Sequence, residues 1–415
     1  MSTPSWFVRW TIGWGLFISA PAAAAEPTAE TELVRAFLSA PVAQSELDAV
    51  RADTLADGTG TSLLMSPTLD ARREEARGPA GATTNAIGAA VTVDLGLSAL
   101  GDTRAAHLRA MAGDYDAQAM ALAAVCELRA EALDLWAANA SGAVSESGHE
   151  RFDELLATLA LLAQAGEVSG YDLDRAGLAS AAHAVSAAER RGEAQTLRAH
   201  VSAMVNTPVD DVVLLDSPAL SSLDDALSQS ANHPGLMALQ QRRDADATAT
   251  RAARWAQLPD LTLAGGPRWD APPNGGIATP GYEIGGSVQI PWTDGSRAHA
   301  RQTAASLAHT DAHLTRFTAQ LQADVRGAHA RASDLAQSEA ATISPDAVWA
   351  SAMDLYRSGE LPLGELLQTA EAVEDASLAT IAQERLQRRA HLDLSCATGY
   401  FSNSAVQSLI QETLQ

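Results

Sequence analysis

Cys126 and Cys396 are the only thiols in the 415 residues. Cys126 lies almost as far before Ala165 as Cys396 lies after Ser358, so each stands at nearly the same chain distance from a Gly-Glu turn. If helices run straight from those turns, the two cysteines share a height. An oxidising compartment permits a disulfide between them, within one chain or between two. The plainer expectation is a pair of buried free thiols, since free cysteine behaves as a small hydrophobe. His309 and His313 are four residues apart on an expected helix and share a face. Two imidazoles begin a metal site, but Asp311 points elsewhere and no third ligand follows, so solvated histidines are expected and no metal is assigned. The third group is acidic. Gly166-Glu167-Val168-Ser169 is followed by Asp172-Leu173, and Gly359-Glu360-Leu361-Pro362 by Glu365-Leu366. A glycine after a long helix supplies a left-handed turn, and an acid early in the next helix suits its N-terminal dipole. The sequence carries no phosphate loop, dinucleotide glycine fingerprint, paired zinc cysteines or nucleophile elbow, and no Ser/His/Asp spacing singles out a triad. The chain is therefore expected not to be an enzyme and to hold no cofactor.

Charge and the N-terminus narrow the setting. The net charge is −23, from 28 basic and 51 acidic residues, and every fixed cation is arginine. Such a chain does not suit a phosphate backbone, so nucleic acid is excluded as a partner. Its 47% hydrophobic content is too high for a disordered acidic chain. Arg9, the apolar stretch Trp10 to Ala20, Pro21 and the run Ala22 to Ala25 read as a signal peptide over residues 1–25, cleaved before Glu26. The stretch is too short to span a bilayer, and no later run of apolar residues is long enough for a spanning helix. No cysteine near the cleavage point offers a lipid attachment.

The remainder reads as one unit written twice, residues 26–222 and 223–400, with a short tail at 401–415. Pro41 and Pro234 are 193 apart in the numbering, as are Thr103-Arg104-Ala105 and Ser296-Arg297-Ala298, and Gly166 and Gly359. Pro67 and Pro259 are 192 apart, and Ile87 and Ile284 are 197 apart. Anchors that recur in one order at nearly one offset mark an internal repeat. Each unit opens with an expected helix, Thr31 to Ala56 or Leu223 to Trp255, and a proline then starts a strand. A Gly/Pro/Asn-rich loop follows, at 78–81 or 272–276.

The second strand of each unit alternates. Ile87, Ala89, Val91, Val93 and Leu95 take one side, with Gly88, Ala90, Thr92 and Asp94 on the other. In the second unit Tyr282, Ile284, Gly286, Val288 and Ile290 oppose Glu283, Gly285, Ser287 and Gln289. Leu261 and Leu263 mark the same apolar side of the strand before. Period two with one apolar and one polar face suits a strand between lipid and water; a strand half-buried in a soluble sheet fits as well. In the first unit Asp70-Ala71-Arg72-Arg73-Glu74-Glu75-Ala76-Arg77 cannot face hydrocarbon. That strand is expected to end near Asp70, to shift toward 61–65, or to turn its charges to a lumen or solvent. Long alanine-rich helices then run from Thr103 to Ala165 and from Ser296 to Ser358, with interruptions expected at 141–148 and 342–345. Long helices return from the turns. Such hairpins cannot bury their stripes alone and must form a wall of helices.

The doubled order resembles the TolC-like outer-membrane efflux proteins. The residues that carry the resemblance are Asn232-His233-Pro234-Gly235-Leu236, Leu258-Pro259-Asp260-Leu261-Thr262-Leu263, Val288-Gln289-Ile290-Pro291-Trp292-Thr293-Asp294-Gly295-Ser296-Arg297, and the turns at 165–169 and 356–361. The resemblance covers nearly all of residues 28–400. It implies a mainly α fold with β: long antiparallel hairpins forming an α-barrel, and four strands per chain in a twelve-strand β-barrel closed by a homotrimer. Ile87, Val91, Val93, Leu261, Leu263, Tyr282, Ile284, Val288 and Ile290 become the lipid-facing candidates. It further implies a location in the outer membrane of a Gram-negative-type cell, with a periplasmic helical extension. The implied partners are a periplasmic adaptor and an inner-membrane pump of the RND or ABC type, in a tripartite efflux or type I secretion system. The chain itself is then a passive conduit for small molecules or ions. Residues Gly166 to Ser169 with Asp172 and Leu173, and Gly359 to Pro362 with Glu365 and Leu366, become the adaptor contact and the periplasmic mouth. A trimer brings six such tips together, ringing Glu167, Asp172, Glu360 and Glu365 about the axis, and carboxylate rings favour cations. The alternative is a soluble periplasmic coiled-coil module, structural or adaptor-like, whose strands form a small sheet.

Overall fold

The structure, a computed structural model, describes residues 28–58, 68–77, 83–94, 97–215, 219–258, 260–271, 277, 279–289, 294–338, 344–401, 406 and 408–409. The expected leader, both Gly/Pro loops, segment 61–65 and Ile290 lie outside them. In chain order the elements are β1 (Thr28–Ala29), α1 (Glu30–Ser39), α2 (Pro41–Gly58), β2 (Thr68–Arg77), β3 (Thr83–Asp94), α3 (Leu97–Ala165), α4 (Gly170–Val205), β4 (Val212–Val213), α5 (Leu223–Ser230), α6 (Pro234–Trp255), β5 (Asp260–Ala271), β6 (Thr279–Gln289), α7 (Asp294–Gln337), α8 (Pro345–Arg357) and α9 (Leu363–Thr398).

Three helix expectations need correction. Each expected opening helix is two helices, broken before Pro41 and Pro234. Ala40 (φ −64°, ψ 136°) and His233 (φ −58°, ψ 127°) are extended, because the proline ring bars the residue before it from the α region. The ring itself then serves the first helical position, where no N–H is needed. The first descending helix, α3, is unbroken over 69 residues, about 100 Å. Ser145, in the stretch expected to interrupt it, is fully buried and bonded to Glu374 of α9, so packing overrides a weak local preference. In the second half the helix does stop, at Gln337, and resumes at Pro345.

The main core gathers both ends of the chain. Leu33, Val34 and Leu38 of α1 meet Val125, Leu128 and Leu135 of α3, Val201 and Val205 of α4, and Leu392 of α9. Phe401 and Val406, expected in a tail, are buried in the same cluster. Glu30 is buried there beside the guanidinium of Arg129 and accepts from the Leu215 N–H at 2.8 Å. Arg129 in turn lies over the Phe401 ring, 5.0 Å from its centroid. A buried carboxylate is tolerable only with such partners. β1 and β4 pair in parallel at this point. Cys126 and Cys396 are bonded within the chain, with Cα atoms 6.1 Å apart, which overturns the expectation of free thiols. Their matched distances from the two turns bring them level, and the packing of α3 against α9 brings them into disulfide range.

Four strands form one antiparallel sheet in the order β2-β3-β5-β6, so β3 of the first half pairs with β5 of the second. β2 does not end near Asp70; its ladder with β3 runs on from Asp70↔Ala90 to Arg77↔Thr83. Main-chain pairing is indifferent to side-chain charge, and the register sets Arg73 of the charge run opposite Ile87. At Gly266 a Cβ would stand 1.9 Å from the Ala89 carbonyl oxygen. Only glycine allows that approach, next to Pro267, which has no N–H for the ladder.

Candidate functional site: the bare sheet face and the paired hairpin tips

Cross-strand partners share a face, so the register sorts the sheet into two rows. One row joins Ile87 with Trp269, Val91 with Gly265, Val93 with Leu263, Leu261 with Val288, Gly265 with Ile284, and Pro267 with Tyr282. Ile284 is 89% exposed, Tyr282 88%, Val288 61% and Ile87 60%. Val91, Leu263 and Trp269 are exposed as well. The expected lipid-facing residues within the described strands thus fall in one row. Trp269 is the member the sequence reading missed, although counting by twos from Leu263 reaches it. The other row is polar. The Thr262 and Ser287 hydroxyls bond to each other, Arg268 Nε donates to Asp270 at 2.8 Å, and Arg268 lies 3.8 Å from Glu283. β2 and β6 are the outer strands, each paired on one side among the described residues.

At the far end of the helices the two turns are built alike. Gly166 and Gly359 have φ of 78° and 77°. Gly166 N–H donates to Ala163 O at 3.0 Å and Glu167 N–H to Leu162 O at 2.9 Å; Gly359 N–H donates to Tyr356 O at 3.0 Å and Glu360 N–H to Leu355 O at 2.9 Å. This is the Schellman pattern, which satisfies the last helical carbonyls and needs a left-handed residue. Glu167, Ser169, Glu360, Pro362 and Glu365 are exposed, and Asp172 is half-buried. The apolar members of the tip motifs do something else. Leu366 is fully buried, and Val168, Leu173 and Leu361 pack against the cluster it forms with Phe152, Leu155, Leu159, Ala176 and Met353. Leu366 therefore belongs to the core, not to a contact surface. That cluster makes the two tips one body. The Tyr356 hydroxyl of the second tip is pushed above its usual range, first by burial and then by the charge of Asp172 in the first.

One surface is new relative to the sequence reading. Tyr171, Leu178 and Val185 of α4 are 74%, 75% and 59% exposed. They recur every seven residues, so they form a single apolar stripe along α4, the spacing of a helix–helix seam. His309 and His313 both lie exposed on α7, and Asp311 accepts from Arg243 Nε at 3.1 Å. Among the described residues no group of three or more His, Cys, Asp or Glu side chains is placed to hold a metal ion. No described helix is long and apolar enough to cross a membrane.

No family model matches the sequence, and no curated protein matches it. Solved structures do. The Campylobacter jejuni CmeC outer membrane channel is 16% identical, with a TM-score of 0.70 over 93% of this chain and 89% of its own. The outer-membrane channel OprN is 19% identical, with a TM-score of 0.67 over 90% of each chain. The Neisseria gonorrhoeae MtrE outer membrane channel is 15% identical, with a TM-score of 0.65 over 89% of each. Each match takes in about nine-tenths of both chains. The chain has the fold of these solved outer-membrane channels.

Proposed function

We propose that this chain is an outer-membrane duct: three copies close their sheets into a twelve-strand barrel and their hairpins into a hollow helical extension in the periplasm. The observation that carries this reading is the bare apolar row of Ile87, Val91, Leu263, Trp269, Tyr282, Ile284 and Val288, backed by a polar row on the same sheet. A patch of that kind is a liability in water and a requirement at a lipid face. Four strands cannot close alone, and the outer edges of β2 and β6 need partners in lipid. Further copies of the chain supply them, and the apolar stripe on α4 gives the helical wall an edge to match. The tandem duplication is supported by the common order of elements in the two halves. It is supported too by the left-handed helix ends at Asn206 and Gly399, which repeat the offset between Gly166 and Gly359. The likeness to solved outer-membrane channels supports the location.

The exposed tip residues Glu167, Ser169, Glu360, Pro362 and Glu365 form the adaptor contact. With Asp172 their carboxylates line a mouth that favours cations. Energy comes from an inner-membrane pump, of RND or ABC type, and the chain adds no catalysis. The soluble alternative leaves the apolar row uncovered. Fractionation separates the two. A duct stays with the outer membrane through a high-salt wash and migrates as a heat-sensitive trimer. Ile284→Arg abolishes that assembly, at about 2–4 kcal/mol for a charge at mid-bilayer, whereas Ser287→Arg, in the polar row, does not. Recovery of the chain in a periplasmic wash contradicts the proposal.

A further inference from the structure

Ser145, Gly148 and Phe152 lie three and four residues apart on α3 and share one face. The carboxyl of Glu374, from α9, sits against that face and is 6% exposed. Ser145 Oγ donates to Glu374 Oε1 at 2.8 Å. Oε2 receives no aligned hydrogen bond, and Nδ1 of His183, from α4, stands 2.7 Å from it. The His183 ring is stacked on Phe152, with centroids 4.1 Å apart. A Cβ at Gly148 would stand 2.8 Å from Oε2. Glycine is unfavourable in a helix interior, more so than any residue but proline. Gly148, in the interior of a 69-residue helix, therefore needs a reason, and the carboxylate fills the space its missing side chain leaves. Carboxylates are seldom buried without a compensating role.

We propose that Ser145, Gly148, His183 and Glu374 form a polar latch that seats α9 on the α3–α4 hairpin and so fixes the second tip against the first. His183 and Glu374 lie roughly 20 Å along their helices from the two turns, at 1.5 Å per residue. The latch is the polar counterpart of the apolar tip cluster, and it draws one residue or more from each of three helices. It stands whether or not the chain conducts, so its test does not depend on the channel reading.

The test is amide hydrogen exchange of the full chain in detergent, followed by mass spectrometry over α8, the second turn and the first half of α9. Gly148→Ala is the decisive variant, because the two outcomes differ in sign. If Gly148 is only a helical glycine, alanine slows exchange or leaves it unchanged. If it is the socket for Glu374, exchange across the second tip quickens, by about tenfold for a displaced buried carboxylate. Gly142→Ala is the control, since a Cβ there meets nothing within 4 Å. The double variant Gly148→Ala/Glu374→Ala should exchange no faster than Glu374→Ala alone, because the carboxylate that clashes is gone. Should Gly148→Ala not fold, Ser145→Ala serves: it strips the donor from Oε1 and should quicken exchange at the second tip severalfold. Gly148→Ala behaving like Gly142→Ala, an equal effect of Gly148→Ala with and without Glu374, or unchanged exchange in Ser145→Ala overturns the latch.

Discussion

The two hairpin turns share a backbone and differ in how the returning helix begins. Both end a helix on a left-handed glycine with the same pair of main-chain bonds. After the first, Ser169 caps α4: its Oγ accepts from the Asp172 N–H at 3.1 Å and donates to the Asp172 carboxylate at 2.7 Å. After the second, Pro362 holds the cap position (φ −72°, ψ 151°), and its side chain accepts nothing. The descending helices differ in the same sense, one continuous and one split before Pro345. The first hairpin thus carries its own local signals, while the second leans on α3 through Leu366, Leu367 and Ala370, and through the disulfide. Local chemistry and tertiary packing are alternative ways of holding one geometry.

That contrast can be tested in order of size. The Cys126–Cys396 bond ties the second half to α3 across a separation of 270 residues. Cys126→Ser should lower unfolding stability by about 2–4 kcal/mol, read as a lower denaturant midpoint that reductant no longer changes. An unaltered midpoint would mean that packing alone joins the halves. Next come the turns. Gly166→Ala and Gly359→Ala should each cost about 1–2 kcal/mol, the penalty for a side chain in the left-handed region. Near-equal losses sharpen the likeness of the two turns; a loss at one site only breaks it. Ser169→Ala should then cost about 1 kcal/mol as a lost N-cap. Pro362→Ala removes no acceptor and should change stability less, the order that separates the two hairpins in thermal melts.

The smallest effect concerns pH. Burial lowers the pKa of His233 below its ordinary 6.5. Its Nδ1 accepts from the Gly235 N–H at 3.1 Å, a role open only to the unprotonated atom. Below pH 6.5 the unfolded chain binds a proton that the folded chain resists, so stability is present above that range and falls as pH drops through it. His233→Asn keeps an N-cap acceptor and should flatten this part of the melting-temperature profile between pH 7.5 and 5. Burial lowers His391 too, so some acid sensitivity should survive.

The turns and the sheet rows are legible in the sequence because each rests on a local rule. Glycine at a helix end and alternation by twos need no knowledge of neighbours. Pro41 and Pro234 are equally visible, yet they sit inside the expected helices, although the residue before a proline is a probable break. The Asn206 helix end, at the repeat offset from Gly399, is hidden because asparagine is a weaker sign of a left-handed residue than glycine. The run at 141–148 misleads for the opposite reason. Its serines and glycines weaken an isolated helix, and what Ser145 and Gly148 serve is Glu374 on α9, far away in the chain. The disulfide is half legible: the matched heights are in the numbering, but not that α3 and α9 are neighbours. Leu366 reads as surface because its motif does, and only the meeting of the two tips buries it.

The number of chains in the assembled particle tests the central claim most directly. Native mass spectrometry of protein extracted from the outer membrane in mild detergent should give three copies, collapsing to one on heating. A single chain, soluble without detergent and recovered from the periplasm, would contradict the account.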